Sequence, residues 1–224
     1  MVPFRMDMDN HKDIQLSCAR CGASSTARTY DSINASDSPE LKAALKDGSL
    51  FLHECPHCGT NNLIREKLLY HDPAAKIMLW LTLGDEVLEA KAREMYAGID
   101  GLSEYVLRFV DEPGELIEKV KIFDSGLDDA VMELCKHLTR LELIGEDKVL
   151  SEKLADAPFR FLRIDGADHH IQFAYPQDGQ MQLAEVGFNV YEDSAGILRR
   201  NPRLTASLKG FCRVNTDWIN ERFA

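Results

Sequence analysis

The spacing of hydrophobic residues changes along the chain, and each change marks a different kind of secondary structure. One helix is predicted early in the chain: Asp37 stands at its cap position, Pro39 in its first turn and Gly48 at its end. Around this helix, short apolar stretches bounded by turn-forming residues predict strands at 14–17, 23–33, 51–54, 61–70 and 76–83. The first part of the chain is therefore predicted to form short antiparallel strands with one inserted helix.

Helical spacing dominates the middle of the chain. Asp85 opens a helix whose apolar face includes Ala92 and Met95, and a strand is predicted over 105–110. Two more helices follow, with a break at 124–126 between them. The second of these has apolar residues that alternate four and three apart, at Leu127, Val131, Leu134, Leu138 and Leu141. These two helices are predicted to pack as a helical hairpin.

The C-terminal part returns to a period of two. A polar connection with a short helix near 148–154 leads into it, and Pro176–Gly179 is a turn signal. Strands are predicted at 159–164, 169–175 and 181–191. His169 and Phe173 are expected on one face of the second strand. The segment from Asn215 predicts a closing helix, so this part is an antiparallel meander with a helix behind it.

Two short cysteine loops, Cys18-Ala-Arg-Cys21-Gly22 and Cys55-Pro-His-Cys58-Gly59, carry the clearest chemistry. Two residues between the cysteines let a tight loop present both sulfurs on one side, and the glycine that follows permits a positive φ. The loops are farther apart than usual, and the predicted helix between them accounts for the excess. Cys18, Cys21, Cys55 and Cys58 are therefore predicted to hold one structural Zn²⁺ with four thiolate ligands.

Other uses of these cysteines fit less well. Disulfides suit a secreted protein, a thioredoxin-like redox pair lies at the start of a helix, and a catalytic zinc needs an open coordination position. Neither loop opens a predicted helix, and four thiolates close the coordination shell. His53 and His57 lie close to the second loop and are interpreted as surface residues rather than alternative ligands.

These patterns together predict an α+β fold in three parts. Residues 1–83 are predicted to form a zinc-ribbon domain of antiparallel strands plus one inserted helix. Residues 84–145 are predicted as a helical-hairpin segment, and residues 146–224 as a C-terminal α+β domain with a small antiparallel β-meander and a closing helix.

The charge of the chain is acidic, with 37 Asp and Glu against 26 Lys and Arg, a net charge of −11. Residues 1–83 are nearly neutral, so residues 84–224 carry almost all of the excess acid. Such a surface repels phosphate backbones, which disfavours nucleic acid and favours a basic protein partner.

No membrane partner is expected, because the longest apolar run is Ile77–Leu81. The first ten residues turn acidic at once and lack the apolar core of a secretory signal. Four of the six cysteines stand in Cys-x-x-Cys pairs, a spacing typical of metal binding in a reducing compartment. A cytoplasmic location is therefore expected.

The second cysteine loop and its surroundings resemble the CpXC domain family of bacteria and archaea. The resemblance is carried by Cys55–Gly59, by the flanking stretches Glu40–Leu50 and Tyr70–Pro73, and by Leu107–Lys119. It covers roughly residues 14–140, and Ala19 departs from the proline of the family's first loop. It implies a bacterial cytoplasmic protein with four cysteine ligands and no established activity.

Outside the cysteine loops, no catalytic motif is found. Cys135 and Cys212 are interpreted as small buried hydrophobes. Adjacent histidines on a strand point to opposite faces, so His169 and His170 are not expected to bind one ion. The basic patch Arg199–Arg203 lacks interleaved aromatic residues, so it does not indicate a nucleic-acid site.

Three functions remain open at this point. The leading hypothesis is a non-enzymatic zinc protein that acts as a protein–protein interaction module. The second is a nucleic-acid-binding ribbon with a regulatory role, which requires Arg20, Arg28, Arg65 and Lys67 on one face. The third is an enzyme with a site between the ribbon and the later domains, for which His71, Asp72 and His169 are candidates. The oligomeric state does not follow from the sequence.

Overall fold

The computed structural model of the chain describes residues 10–145, 148–154, 157–166 and 169–223. The chain folds into two compact units. The first runs to Ile117 and also takes in Lys209–Cys212, and the second comprises Glu118–Leu208 and the residues from Arg213 onward. The stretch before Asn10, for which no secretory signal is predicted, lies outside the described residues.

The first unit is built on a five-stranded mixed sheet. Its strands, in chain order, are β1 Asn10–Ser17, β2 Ser24–Asn34, β5 Leu68–Asp72, β6 Ile77–Leu81 and β7 Val106–Val110. They lie side by side in the order β1-β2-β5-β6-β7, with β2–β5 and β6–β7 parallel and the other pairs antiparallel. Strands β5 and β6 lie inside the sheet, and every residue of both except Trp80 is buried, as expected for strands covered on both faces.

A second, two-stranded sheet of the first unit carries the second cysteine loop. It pairs β3 Leu52–Glu54 with β4 Asn61–Leu63, and helix α1 Pro39–Asp47 with a 3₁₀ turn at Ser49–Phe51 leads into it. Gly48 ends α1 in the left-handed conformation, as predicted. The N-cap is Ser38 rather than Asp37, because the Asp37 carboxylate accepts a hydrogen bond from Asn34 Nδ2 at 2.7 Å.

Helix α2, Glu86–Tyr96, begins as predicted at Asp85, whose carboxylate accepts a hydrogen bond from the Leu88 N–H. Its buried face differs from the prediction, since Met95 is exposed and Glu89 is buried, where it accepts a hydrogen bond from the Thr82 hydroxyl at 2.8 Å. The core on this side of the sheet consists of Leu69, Met78, Ala92, Tyr96, Leu107, Phe109 and Phe211.

The second unit combines helices with a three-stranded antiparallel sheet in the order β10-β9-β8. Its strands are β8 Arg160–Ile164, β9 His170–Gln177 and β10 Gln180–Gly187. Helix α3, Pro113–Asp124, crosses from the first unit into the second. The other helices are α4 Asp129–Ile144, α5 Lys148–Leu154, α6 Phe188–Arg200, α7 Pro202–Thr205 and α8 Thr216–Phe223.

The core of the second unit lies between the sheet and the helices. Phe173 of β9 enters it, as do Ile171 and Tyr175 on the same face of the strand, together with Met132 and Cys135 of α4. His169 does not, because it precedes the strand with φ 52° and is exposed, as is His170. Leu141 of α4 is also exposed rather than part of the predicted apolar face.

The third strand of the meander ends earlier than predicted. Strand β10 stops at Gly187, and Phe188 begins α6 rather than continuing the strand over 181–191. Val190 is partly buried against the core, and Ser194 and Leu198 follow it at spacings of four with their side chains buried. The burial of this face of α6 therefore determines the structure of the segment, although its apolar residues also alternate as in a strand.

The predicted α+β class, with strands first, helices in the middle and a C-terminal sheet, is confirmed. Strand β7, expected in the segment 84–145, pairs with β6 of the N-terminal segment. The boundaries of the predicted domains 1–83, 84–145 and 146–224 stay predictions. None of the helices within the described ranges is both long enough and apolar enough to cross a bilayer.

Candidate metal centre

The two cysteine loops are the turns of two β-hairpins in the first unit. The first loop, which begins at Cys18, joins β1 to β2. The Cys18 N–H donates a hydrogen bond to Ala23 O, and Cys18 O accepts one from the Gly22 N–H, both at 2.9 Å. The second loop joins β3 to β4 and has the same two hydrogen bonds. The Cys55 N–H donates to Thr60 O, and Cys55 O accepts from the Gly59 N–H, both at 2.9 Å. The two halves of the site thus share one backbone conformation.

The glycine after each cysteine pair is required by this conformation. Gly22 has φ 72° and Gly59 has φ 69°, values that a side chain disfavours. The left-handed residue turns the chain back toward its strand and leaves both sulfurs of the loop on the same side. The sequence prediction for both glycines is confirmed.

The four sulfur atoms form one cluster. Cys18 Sγ lies 3.6 Å from Cys58 Sγ, and Cys21 Sγ lies 3.7 Å from Cys55 Sγ. All four lie within 4.8 Å of one another. A tetrahedral ion with metal–sulfur bonds of about 2.3 Å has sulfur–sulfur edges of about 3.8 Å. The cluster therefore has the size and the donor set that a tetrahedral metal ion requires, and the cysteines are not joined as disulfides.

The electrostatics of the cluster favour a cation. The Cys21 and Arg20 N–H groups lower the pKa of the Cys18 thiol to about 6. The Ala23 N–H acts to lower the pKa of Cys21, but burial and its three thiol neighbours outweigh it and raise this pKa to about 12. Four sulfurs this close cannot all ionise without a positive charge between them, and a divalent metal supplies that charge.

Side chains from each hairpin reach across to the other. Asn62 Oδ1 accepts a hydrogen bond from the Ala19 N–H at 2.9 Å, and Asn62 Nδ2 lies 3.7 Å from Cys18 Sγ. Four residues after the other cysteine pair, the Ser25 hydroxyl lies 2.8 Å from His53 Nε2. His53 is thus engaged by a hydroxyl rather than directed at the sulfurs, and His57 is exposed.

Asn62 contacts the candidate metal centre, and the sequence prediction did not identify it. Asn62 lies four residues after Cys58, in the middle of a short strand where its side chain is buried. This position indicates a residue of the site, because a buried amide needs hydrogen-bond partners. Asn62 also donates from Nδ2 to Thr60 O at 2.9 Å. Asn62 therefore ties the second hairpin to the first loop.

The remaining cysteines lie apart from the cluster. Cys135 is fully buried in the core of the second unit, where burial raises its pKa to about 12 and makes the thiol unreactive, as its interpretation as a buried hydrophobe expects. Cys212 is half-buried in the first unit, with its Sγ 3.4 Å from Nη1 of Arg108.

The candidate residues for an enzyme are distributed over both units. His71 and Asp72 lie in β5 and are buried, His71 3.3 Å from the Tyr105 hydroxyl and Asp72 2.9 Å from Lys42 Nζ. His169 belongs to the second unit and is exposed. Each of the two buried groups therefore has a structural partner in its own unit.

Comparison with known families supports the metal centre. A family model described as CpXC protein matches residues 16–136, which include all four loop cysteines. A search of curated proteins finds no match. A search of solved structures also finds none. Since the family match spans more than half of the 224 residues, this chain belongs to the CpXC family.

Proposed function

We propose that this protein is a structural zinc protein, in which Cys18, Cys21, Cys55 and Cys58 hold one Zn²⁺, and that the folded zinc unit serves protein–protein interaction. The observation that carries the zinc site is the cluster of four sulfurs within 4.8 Å of one another. Four thiolates fill the tetrahedral shell of zinc and leave no position for a substrate, so the metal has a structural role.

The proposed ion joins two hairpins, one of which is very short. The hairpin β3–β4 has only three residues in each strand, and it carries two of the four ligands. Structural zinc contributes about 10 kcal/mol or more to the folding of such modules. A reducing compartment such as the cytoplasm keeps the thiols available for the ion.

Metal analysis of the purified full-length protein tests the zinc site. We expect one zinc per chain, and after exchange for Co²⁺ the intense visible absorption of a tetrahedral thiolate site. A tetrahedral set of four thiolates also accepts iron, so iron in place of zinc would redirect the proposal to electron transfer. A folded protein with no bound metal would contradict it.

An exposed apolar pair supports the interaction role. Leu52 and Leu63 are directly opposite each other in the β3–β4 ribbon, and they are 46% and 51% exposed. This cross-strand pair lies at the end of the ribbon away from the cysteine loop, and it is an apolar surface that a partner protein can cover. The acidic composition of residues 84–224 favours a basic partner.

Affinity capture from gently crosslinked cells tests this role. We expect one recurrent protein, lost both on zinc removal and in the double variant Leu52→Ser/Leu63→Ser. The matched control is Val87→Ser/Met95→Ser, which removes a similarly exposed apolar pair from α2 and should retain the partner. If both double variants captured the partner protein equally, the proposal that Leu52 and Leu63 bind it would be contradicted.

The nucleic-acid alternative has weaker support. Of its four cationic residues, Arg28 Nε lies 3.6 Å from Asp13 and Lys67 is paired with Asp85. These carboxylates reduce the positive charge that a phosphate backbone would meet. Recovery of RNA or DNA in the same capture experiment, with salt-dependent binding, would promote this alternative.

A further inference from the structure

The outer face of helix α6 carries four exposed charged residues. Glu192 and Asp193 lie in its second turn, and Arg199 and Arg200 lie in its last turn. Within the described part of the chain, none of these four side chains forms an ion pair or a hydrogen bond with another side chain. The opposite face, which includes Leu198, is buried. The fold of the chain therefore leaves this charged face of α6 unused.

The four charges are arranged around Gly196 in two rows. Residues seven apart are separated by almost two whole helical turns, so Glu192 and Arg199 lie along one edge of the face. Asp193 and Arg200 lie along the other edge for the same reason, and Gly196 lies at the centre between the two rows. Charges seven residues apart are separated by about 10 Å along the helix axis. Ion pairs within a helix form at spacings of three or four, so α6 cannot neutralise its own charges.

Gly196 is an interior residue of the helix, where glycine is less favourable than alanine. The packing of the chain does not require it. The three atoms nearest to an added Cβ all belong to the Arg200 guanidinium, the closest at 3.3 Å, and this flexible group can move aside. The distance between two packed helices depends on the side chains at their contact, and a glycine there permits a close approach. Gly196 therefore indicates a second helix on this face.

The charged face of α6 is complementary to itself. A two-fold axis beside Gly196 would place a second copy of the helix antiparallel to the first, so that the acidic end of each copy meets the basic end of the other. Glu192 then faces Arg199 of the second copy along one edge, and Asp193 faces Arg200 of the second copy along the other. A partner of uniform charge would be repelled at one end of the face. The charge distribution therefore selects a second copy of this chain.

The same signs continue beyond the two ends of this face. A groove at the acidic end is lined by Glu142, Glu185 and Asn189. At the basic end, Arg203 is exposed at the start of α7. Asn189 precedes Gly196 by seven residues and Arg203 follows it by seven, so the same two-fold axis brings the basic end of one copy toward the acidic groove of the other. Carboxylates in such a groove can accept hydrogen bonds from a guanidinium.

We propose that this protein forms a two-fold homodimer in which α6 packs antiparallel against α6 of a second copy, with Gly196 at the centre and the acids of each copy paired with the arginines of the other. The interface belongs to the second unit and does not involve the four-cysteine cluster. One pair of helices buries less than about 1,000 Å², so the dimer is weak and its population depends on protein concentration.

Sedimentation equilibrium of the full-length, metal-loaded protein over a range of concentrations tests the proposal. We expect a reversible equilibrium between monomer and dimer. An ionic strength of about 0.15 M screens charges more than about 8 Å apart, so that the net charge of −11 on each copy does not decide the result. A wild-type protein that stays monomeric up to its solubility limit would overturn the proposal and leave this face of α6 to solvent or to a different protein.

Charge reversal tests the pairing of the acids with the arginines. Glu192→Arg/Asp193→Arg makes the face wholly basic, and Arg199→Glu/Arg200→Glu makes it wholly acidic. Each variant alone should dimerise at least about 10-fold more weakly than the wild type, because four ion pairs are replaced by like charges. An equimolar mixture should recover a dimer that contains one copy of each variant, since a basic face then meets an acidic one. A mixture that stays monomeric, with both variants folded by circular dichroism, would overturn the proposal.

Two further variants separate the interface from a general effect of charge. Glu86→Arg/Glu94→Arg makes the same change in net charge at exposed positions of α2, and it should dimerise like the wild type. Gly196→Leu places a large side chain at the centre of the proposed contact, and it should weaken dimerisation at least about 10-fold. Its helix content should not fall, because leucine favours helix more than glycine does. Dimerisation that is unchanged in Gly196→Leu would overturn the proposal.

Discussion

The Asn62 side chain accepts a hydrogen bond from the Ala19 N–H at 2.9 Å, and this bond joins the second cysteine hairpin to the first cysteine loop. Residue 19 is the position at which the first loop departs from the family's proline. A proline has no N–H and cannot make this bond. Ala19 and Asn62 therefore act together, and the departure adds a contact between the two halves of the metal site.

We expect Ala19→Pro to destabilise the metal-bound protein by about 1 kcal/mol, the usual net contribution of one hydrogen bond. The same substitution in an Asn62→Ala background should cost much less, because the acceptor is already absent. A double-mutant cycle in urea unfolding measures the coupling between the two residues. Equal costs in both backgrounds would show that the hydrogen bond contributes nothing.

Asn62→Ala should also weaken metal binding by about 10-fold or more, as is typical when a partner of the ligands is lost. Competition with a chromophoric chelator measures this affinity. The matched control is Asn61→Ala, which removes an exposed amide from the neighbouring position and should bind metal like the wild type.

Cys55→Ser removes one thiolate from the cluster, and we expect it to lose the metal and unfold the first unit. The reason is that three ligands cannot close the tetrahedral shell and the free energy of metal binding is part of the folding free energy. Metal analysis and circular dichroism read out both effects. Cys212→Ser, outside the loops, should keep the metal. A folded, metal-free Cys55→Ser protein would contradict the structural role of the site.

Lys119→Met should destabilise the second unit by about 3–5 kcal/mol, because it removes the buried cation that pairs with the buried Asp129 carboxylate. Lys119 Nζ lies 2.8 Å from Asp129 Oδ2 and 2.7 Å from Val214 O, and both charged side chains are buried. Urea unfolding monitored by circular dichroism measures the loss. Lys148→Met, at an exposed position of α5, should change stability by less than about 0.5 kcal/mol.

The stability of the second unit should depend on the ionisation of Glu118. Burial acts to raise the pKa of Glu118, but Lys136 and Arg160 outweigh it and hold the pKa below its usual value of 4.5. A carboxylate with a lowered pKa stabilises the fold above the unfolded value, and this contribution is lost as the pH falls through the folded pKa.

Glu118→Gln should therefore be less stable than the wild type at neutral pH, and the difference should shrink as the pH falls below 4.5. Trp218 fluorescence in a Trp80→Phe background follows the unfolding of the second unit, since these are the only two tryptophans of the chain. A stability difference that stays constant down to acid pH would show that folding does not shift the pKa of Glu118.

Local signals predicted the cysteine loops and most elements correctly. Gly22 and Gly59 follow their cysteine pairs because the turn needs a left-handed residue, and this need is visible in the sequence. The cap of α2 at Asp85 is also visible in the sequence, because an N-cap depends on a hydrogen bond between residues three positions apart, here Asp85 and Leu88. Where the sequence prediction failed, as at Phe188, two periodicities overlapped and distant packing selected the helix.

The sequence by itself determined the metal ligands that can be proposed, the α+β class and the resemblance to the CpXC family, because each depends on residues close together in the chain. Only the tertiary structure decided that Asn62 meets Ala19 and that Glu118 meets Lys136 and Arg160. The hydrogen bonds and ion pairs among these contacts join residues 18 to 43 positions apart, and no local pattern specifies a partner at that distance. The physical reason is that buried polar groups take whichever partner the packing brings within hydrogen-bonding distance.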